Sequence, residues 1–268
     1  MNQFSFKAAT SGELLFQFIL RELYQVSSLT EIHRLGLLTV GGRSDFFSEY
    51  FLGINAMNML ARCVKKAERV RGIDDEASHQ GSMVAYLQET LGMAKHDDES
   101  VDKLARLSLL AASDSKRRIK DSIKRSIRNG RNEVPCYLCG GMCQHNASDG
   151  AAGIEYEHIW PSSFGGNSIF DNLLPACATC NREKKDMLLW HTGHLFSFVL
   201  KPDPSLDELT AITRKAKIAA QMRRIFARAC SDEISLKSAA ETLGPVDMTS
   251  IYAVDDRDAV DFSNFEFR

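Results

Sequence analysis

Seven cysteines occur in the chain, and five of them fall between Cys136 and Cys180. Four of these form two Cys-x-x-Cys pairs, Cys136/Cys139 and Cys177/Cys180. A two-residue spacer lets both sulfurs of a pair reach one metal, and two such pairs supply the four thiolates of a tetrahedral structural zinc. The pairs lie 37 residues apart, so a shared zinc would clamp the ends of a segment too small to build much of a core. Cys143 and His145 follow the first pair as alternative ligands. Cys63 and Cys230 read as buried apolar residues. An odd cysteine count, without a basic and apolar leader at the N-terminus, argues against a disulfide framework and for a cytoplasmic protein.

Between the pairs run Glu155-Tyr156-Glu157-His158-Ile159-Trp160-Pro161, then Gly165-Gly166-Asn167, then Asp171-Asn172-Leu173-Leu174-Pro175. Asn181-Arg182-Glu183-Lys184-Lys185 follows the second pair directly. In type and order this run of about 50 residues closely resembles the HNH endonuclease family, in the subgroup held by a four-cysteine zinc. The resemblance implies a ββα-metal module and hydrolysis of phosphodiester bonds. It makes His158 the general base, a role suited to an imidazole whose reference pKa of about 6.5 leaves it largely neutral near pH 7. It makes Glu157 and Asn181 ligands of a divalent cation, and oxygen donors favour Mg²⁺ or Mn²⁺. Neighbours on a strand point to opposite faces, so a local kink or bulge is expected to bring Glu157 and His158 to one site. Asn172 matches the residue that ties down the loop and orients the base, which makes the chain a His-Asn-Asn variant. Lys184 is placed near the nucleic-acid phosphates, and Glu155 stands where some members carry a further acid. Glu replaces the commoner Asp at position 157.

Stepping outward, Leu15, Phe18, Ile19 and Leu23 predict a helix after Ser11, read as its N-cap. Further helices are predicted over Phe47 to Val70, Met83 to Met93, and about Glu99 to Ile127. The last keeps an isoleucine stripe (Ile119, Ile123, Ile127) beside eight cations, among them Arg117, Lys120, Lys124 and Arg128, against Asp121 alone. So many cations with so few acids to pair with point to nucleic-acid phosphates, and Lys185 joins that set. Asn129-Gly130 then breaks the helix. Beyond the cysteine-rich part, helices are expected from Leu206 to about Arg228 and from Ser235 to Leu243, before an acidic end.

The expected organisation is α+β: a helical region over 1–130, the zinc-stapled HNH module over 131–190 and a helical region over 191–268. With 44% hydrophobic and 25% charged residues the 268-residue chain is globular, and a formal charge of −2 neither requires nor excludes nucleic acid. Its apolar runs are too short to span a bilayer. The reading is a metal-dependent endonuclease acting on DNA, with the residues not choosing between DNA and RNA. Family resemblance adds a role in restriction or phage defence and a regulatory ATPase or sensor partner, and since a single HNH site cuts one strand, double-strand cutting takes a homodimer or two visits. The competing reading is a catalytically silent, zinc-stapled binding module.

Overall fold

In the computed structural model, the structure describes residues 5–23, 44–73, 75–115, 117–145, 153–187 and 206–248. The described residues form two compact units, one running up to Ile119 and taking in Trp160–Ser168, the other holding the remainder.

The first unit is helical. Its helices are α1 (Ser11–Phe18), α2 (Ser44–Ile73), α3 (His79–Ala85) and α4 (Asp98–Ser115). Thr10, one residue earlier than expected, is the N-cap of α1. Its hydroxyl accepts from the Glu13 N–H at 3.1 Å, and the Glu13 carboxylate accepts from the Thr10 N–H at 2.6 Å. This reciprocal box follows from a Thr-x-x-Glu spacing that Ser11 lacks. Helix α4 packs against α1, α2 and α3, burying Val101, Leu104, Ala105 and Ala111 against Leu60, Val64 and Met83 among others.

The segment Trp160–Ser168 completes this core. Trp160 is fully buried, with Phe16 edge-on to it at 5.4 Å, and its indole N–H donates to the Phe164 carbonyl at 2.9 Å. The Gly12 N–H donates to the Gly165 carbonyl at 2.9 Å, and the Ser11 N–H to Asn167 Oδ1 at the same distance. Gly165 has φ of 82°, and a Cβ on Gly166 would stand 1.8 Å from the Trp160 carbonyl oxygen. Both positions exclude a side chain, which explains the Gly165-Gly166 pair.

The expected helix over 99–127 is two helices. Helix α4 stops at Ser115, Lys120 is extended, and α5 (Asp121–Arg128) begins afresh. The two halves pack on different partners, α4 on α1, α2 and α3 and α5 on the strand over Leu173–Cys177, and Arg117 pairs with Asp114 at 3.2 Å. Helix α5 ends at Asn129, in the left-handed region at φ of 48°, as the Asn-Gly pair predicts.

The second unit holds two antiparallel ribbons. In one, β1 (Glu133–Pro135) pairs with β2 (Met142–Gln144), with the first cysteine pair in the turn between them. In the other, β3 (Ile154–His158) pairs with β4 (Leu173–Cys177) in a register running from Ile154↔Cys177 to His158↔Leu173. Helix α6 (Ala178–Lys184) follows β4 at once and packs on both strands. Helix α7 (Leu206–Asp232) lies against α6 and against α8 (Leu236–Leu243), burying Ile218, Met222, Ile225 and Phe226. The fold is α+β, as expected. Among the described residues no helix is long and apolar enough to cross a membrane.

Candidate functional site

The four expected cysteines converge. Sγ atoms of Cys136, Cys139, Cys177 and Cys180 all lie within 4.8 Å of one another, and Cys139 and Cys177 approach to 3.9 Å. Tetrahedral zinc with bonds of about 2.3 Å sets its sulfurs about 3.8 Å apart, so the cluster fits that metal. Cys177 also caps α6, its sulfur accepting from the Cys180 N–H at 3.4 Å. Cys143 is buried with its thiol turned to the Gly141 carbonyl, and His145 is exposed, so neither belongs to the cluster. Zinc here would join the β1–β2 turn to the start of α6.

Strand β3 and helix α6 carry the second cluster. Glu155 and Glu157 are two apart on a strand, and Asn181 and Lys184 three apart on a helix, so each pair shares a face. The faces meet. Asn181 Nδ2 contacts Glu155 Oε2, and Lys184 Nζ donates to Glu157 Oε1 at 2.6 Å. Lys184 also donates to the His158 carbonyl at 3.1 Å. Its side chain has no exposed surface, and that of Glu157 retains 9%. Burial raises the pKa of the Glu157 carboxyl, and the Lys184 ammonium opposes the rise. Lys184 therefore differs from its expected place near phosphates. It is turned inward because a buried carboxylate needs a cation.

The register of β3 is regular through His158, without the expected bulge. Glu157 and His158 therefore leave the strand on opposite faces, and Glu155 is the acid grouped with Asn181. Burial, and next the Lys184 charge, depress the His158 pKa to about 4, so the imidazole is neutral near pH 7. Asn172 is fully buried, and its carbonyl accepts from the Ile159 N–H at 2.9 Å, closing the base of the loop that follows His158. Tyr137, missed in the sequence, is buried close enough to Glu157 for that carboxylate to add to the burial that holds its phenol protonated.

Of the expected nucleic-acid contacts, Lys120 and Lys185 are exposed. Lys124 sits 3.2 Å from the exposed Asp121. Arg117 is tied to the buried Asp114, and Arg128 is only 9% exposed. His191, His194 and the acidic end lie outside the described residues.

With this geometry in view, residues 136–196 match the model of a family described as HNH endonuclease. The match begins at the first zinc cysteine and covers β3, β4 and α6. Neither a curated protein nor a solved structure matches the chain. The family match supports nuclease chemistry in general, and the chain's resemblance to HNH endonucleases holds over this segment.

Proposed function

We propose that the protein is a metal-dependent endonuclease that hydrolyses phosphodiester bonds in DNA, with His158 as the general base. The observation that carries the reading is a neutral imidazole at the end of β3, a strand that also carries the carboxylate meeting the Asn181 carboxamide, inside the segment that matches the HNH family. His158 accepts the proton of the attacking water, and Asn172 closes the loop that follows the base. Hard oxygen donors from Glu155 and Asn181 suit Mg²⁺ or Mn²⁺. A divalent cation there would offset charge growing on the phosphate and the departing oxygen. Glu157 is kept by Lys184, so in this proposal it positions the carbonyl end of β3 and is not a metal ligand. Exposed Lys120 and Lys185, with half-buried Lys124, supply phosphate contacts. Zinc holds the ribbons and α6 together.

The test is supercoiled plasmid incubated with the full chain in Mg²⁺ and in Mn²⁺, beside His158→Ala and EDTA controls. Nicked or linear product that disappears in both controls is the expected result. Loss of product in neither control would overturn the assignment of His158. A protein with one zinc per chain that leaves plasmid, single-stranded DNA and RNA intact is the silent binding module instead. Linear product formed only at high protein concentration would point to a homodimer. The defence role and a regulatory partner are tested by plaque counts on cells carrying the wild-type gene or the His158→Ala variant.

A further inference from the structure

The second unit contains a cavity of about 370 Å³ that none of these roles uses. Small-molecule and base pockets begin near this size. Its walls include Leu173 of β4, Pro245 beyond α8, and Phe170, which is 45% exposed. Lys237 fixes Phe170 in place, with its ammonium 3.3 Å from the ring centroid and 2.7 Å from the Phe170 carbonyl.

Two observations give the cavity a ligand. Arg128 lines it and is nine-tenths buried, with its guanidinium against the Tyr156 hydroxyl. A guanidinium on a cavity wall favours an oxyanion there. Arg131, on the same lining and exposed, offers a second guanidinium. The other observation is position. Leu173 lies directly opposite His158 in the β3–β4 register. Opposed residues share a face with Cβ atoms about 5 Å apart, so the cavity wall adjoins the proposed base.

We infer that this cavity takes one unstacked nucleotide of the substrate strand, next to the phosphate to be cut. The inference rests on the nuclease reading. An aromatic ring backed by proline and leucine accepts any base by stacking. The two guanidinium groups take the phosphate. Glu241 on the rim is an acceptor for an exocyclic amine. A purely aliphatic ligand would bring no anion to the two guanidinium groups, and an inorganic anion would leave the apolar wall bare. The enzyme therefore prefers DNA with an unpaired nucleotide at the cut site.

The test is equilibrium binding of the full, zinc-loaded chain to two duplexes of identical flanks, one fully paired and one with a single-base bulge of 2-aminopurine. Wild type should favour the bulge by about tenfold, with the fluorescence change of a base leaving its stack. Phe170→Ala should erase that preference while binding of the fully paired duplex stays as in wild type and the protein still unfolds cooperatively. No preference in wild type, or a preference that survives Phe170→Ala, overturns the inference and leaves the nuclease reading standing. If wild type neither binds nor cuts nucleic acid, the nuclease reading falls and titration with dAMP decides the cavity. Binding of dAMP lost in Phe170→Ala then supports a pocket for free nucleotides, and no dAMP binding overturns it.

Discussion

Replacing Lys184 with methionine would strand the Glu157 carboxylate in a buried place without its cation. The pair is 2.6 Å long, with 0% of the lysine side chain and 9% of the glutamate side chain exposed. Breaking such a pair from one side costs about 3–5 kcal/mol, because the remaining charge is uncompensated. The Lys184 bond to the His158 carbonyl is lost as well. At about 2–4 °C per kcal/mol for a domain of 150–250 residues, the melting point should fall by about 6–20 °C. Adding Glu157→Gln to Lys184→Met should recover most of that loss, since two neutral groups replace the orphan charge. Urea and thermal unfolding followed by circular dichroism give the three values needed for the cycle. Titration with Mn²⁺, followed by the spin-resonance signal of the free ion, reads cation affinity on the same proteins. Glu155→Gln should weaken Mn²⁺ binding at least tenfold, whereas Glu157→Gln should leave it within about threefold. A Lys184→Met protein that melts within about 2 °C of wild type would refute the reasoning. The pair would then be solvated, and Glu157 free to serve as the ligand the family pattern implies.

Zinc should be found at one per chain, and Cys177→Ser should lose it together with the cooperative unfolding of the second unit, as read by a colorimetric zinc assay and calorimetry. Gly166→Ala should cost at least about 3 kcal/mol in a urea melt, because its Cβ would stand 1.8 Å from the Trp160 carbonyl oxygen. Gly72→Ala, with nothing within 4 Å of its Cβ, should instead stabilise by about 0.5 kcal/mol. Glu13 gives the helical unit a pH dependence. Burial lifts its pKa from 4.5 to about 7 in the folded chain, so the folded state holds its proton more tightly than the unfolded state. Stability is then greatest below about pH 4.5 and falls by roughly 3 kcal/mol as pH rises through about 7. Glu13→Gln keeps an acceptor for the Thr10 N–H and should flatten that slope between pH 5 and 8 in a series of urea melts.

The zinc cysteines and the His158 segment were legible because their chemistry demands residue types at short, fixed spacings. The apolar stripes likewise announced the helices. Three features depended on contacts between distant residues. Lys184 reads locally as an exposed cation near a helix end, and only the packing of α6 on the Glu155 and Glu157 face turns it inward. The helix break before Asp121 is set by two amphipathic halves finding different partners, whereas the isoleucine spacing runs on through it. Gly165 and Asn167 fit the family's order, but their packing against Gly12 and Ser11 joins residues more than 150 positions apart. The cap at Thr10 was readable from Thr-x-x-Glu, and reading one residue late missed it.

The chain reaches the helical unit twice, first with its N-terminal residues and again with Trp160–Ser168. On the ribosome, α1 to α4 emerge long before Trp160, so their core waits without its tryptophan until β3 has been made. The residues that complete the helical core are therefore part of the link between β3 and β4. A gene fragment covering residues 136–196 alone would carry the whole family motif yet expose Trp160, which wild type buries completely.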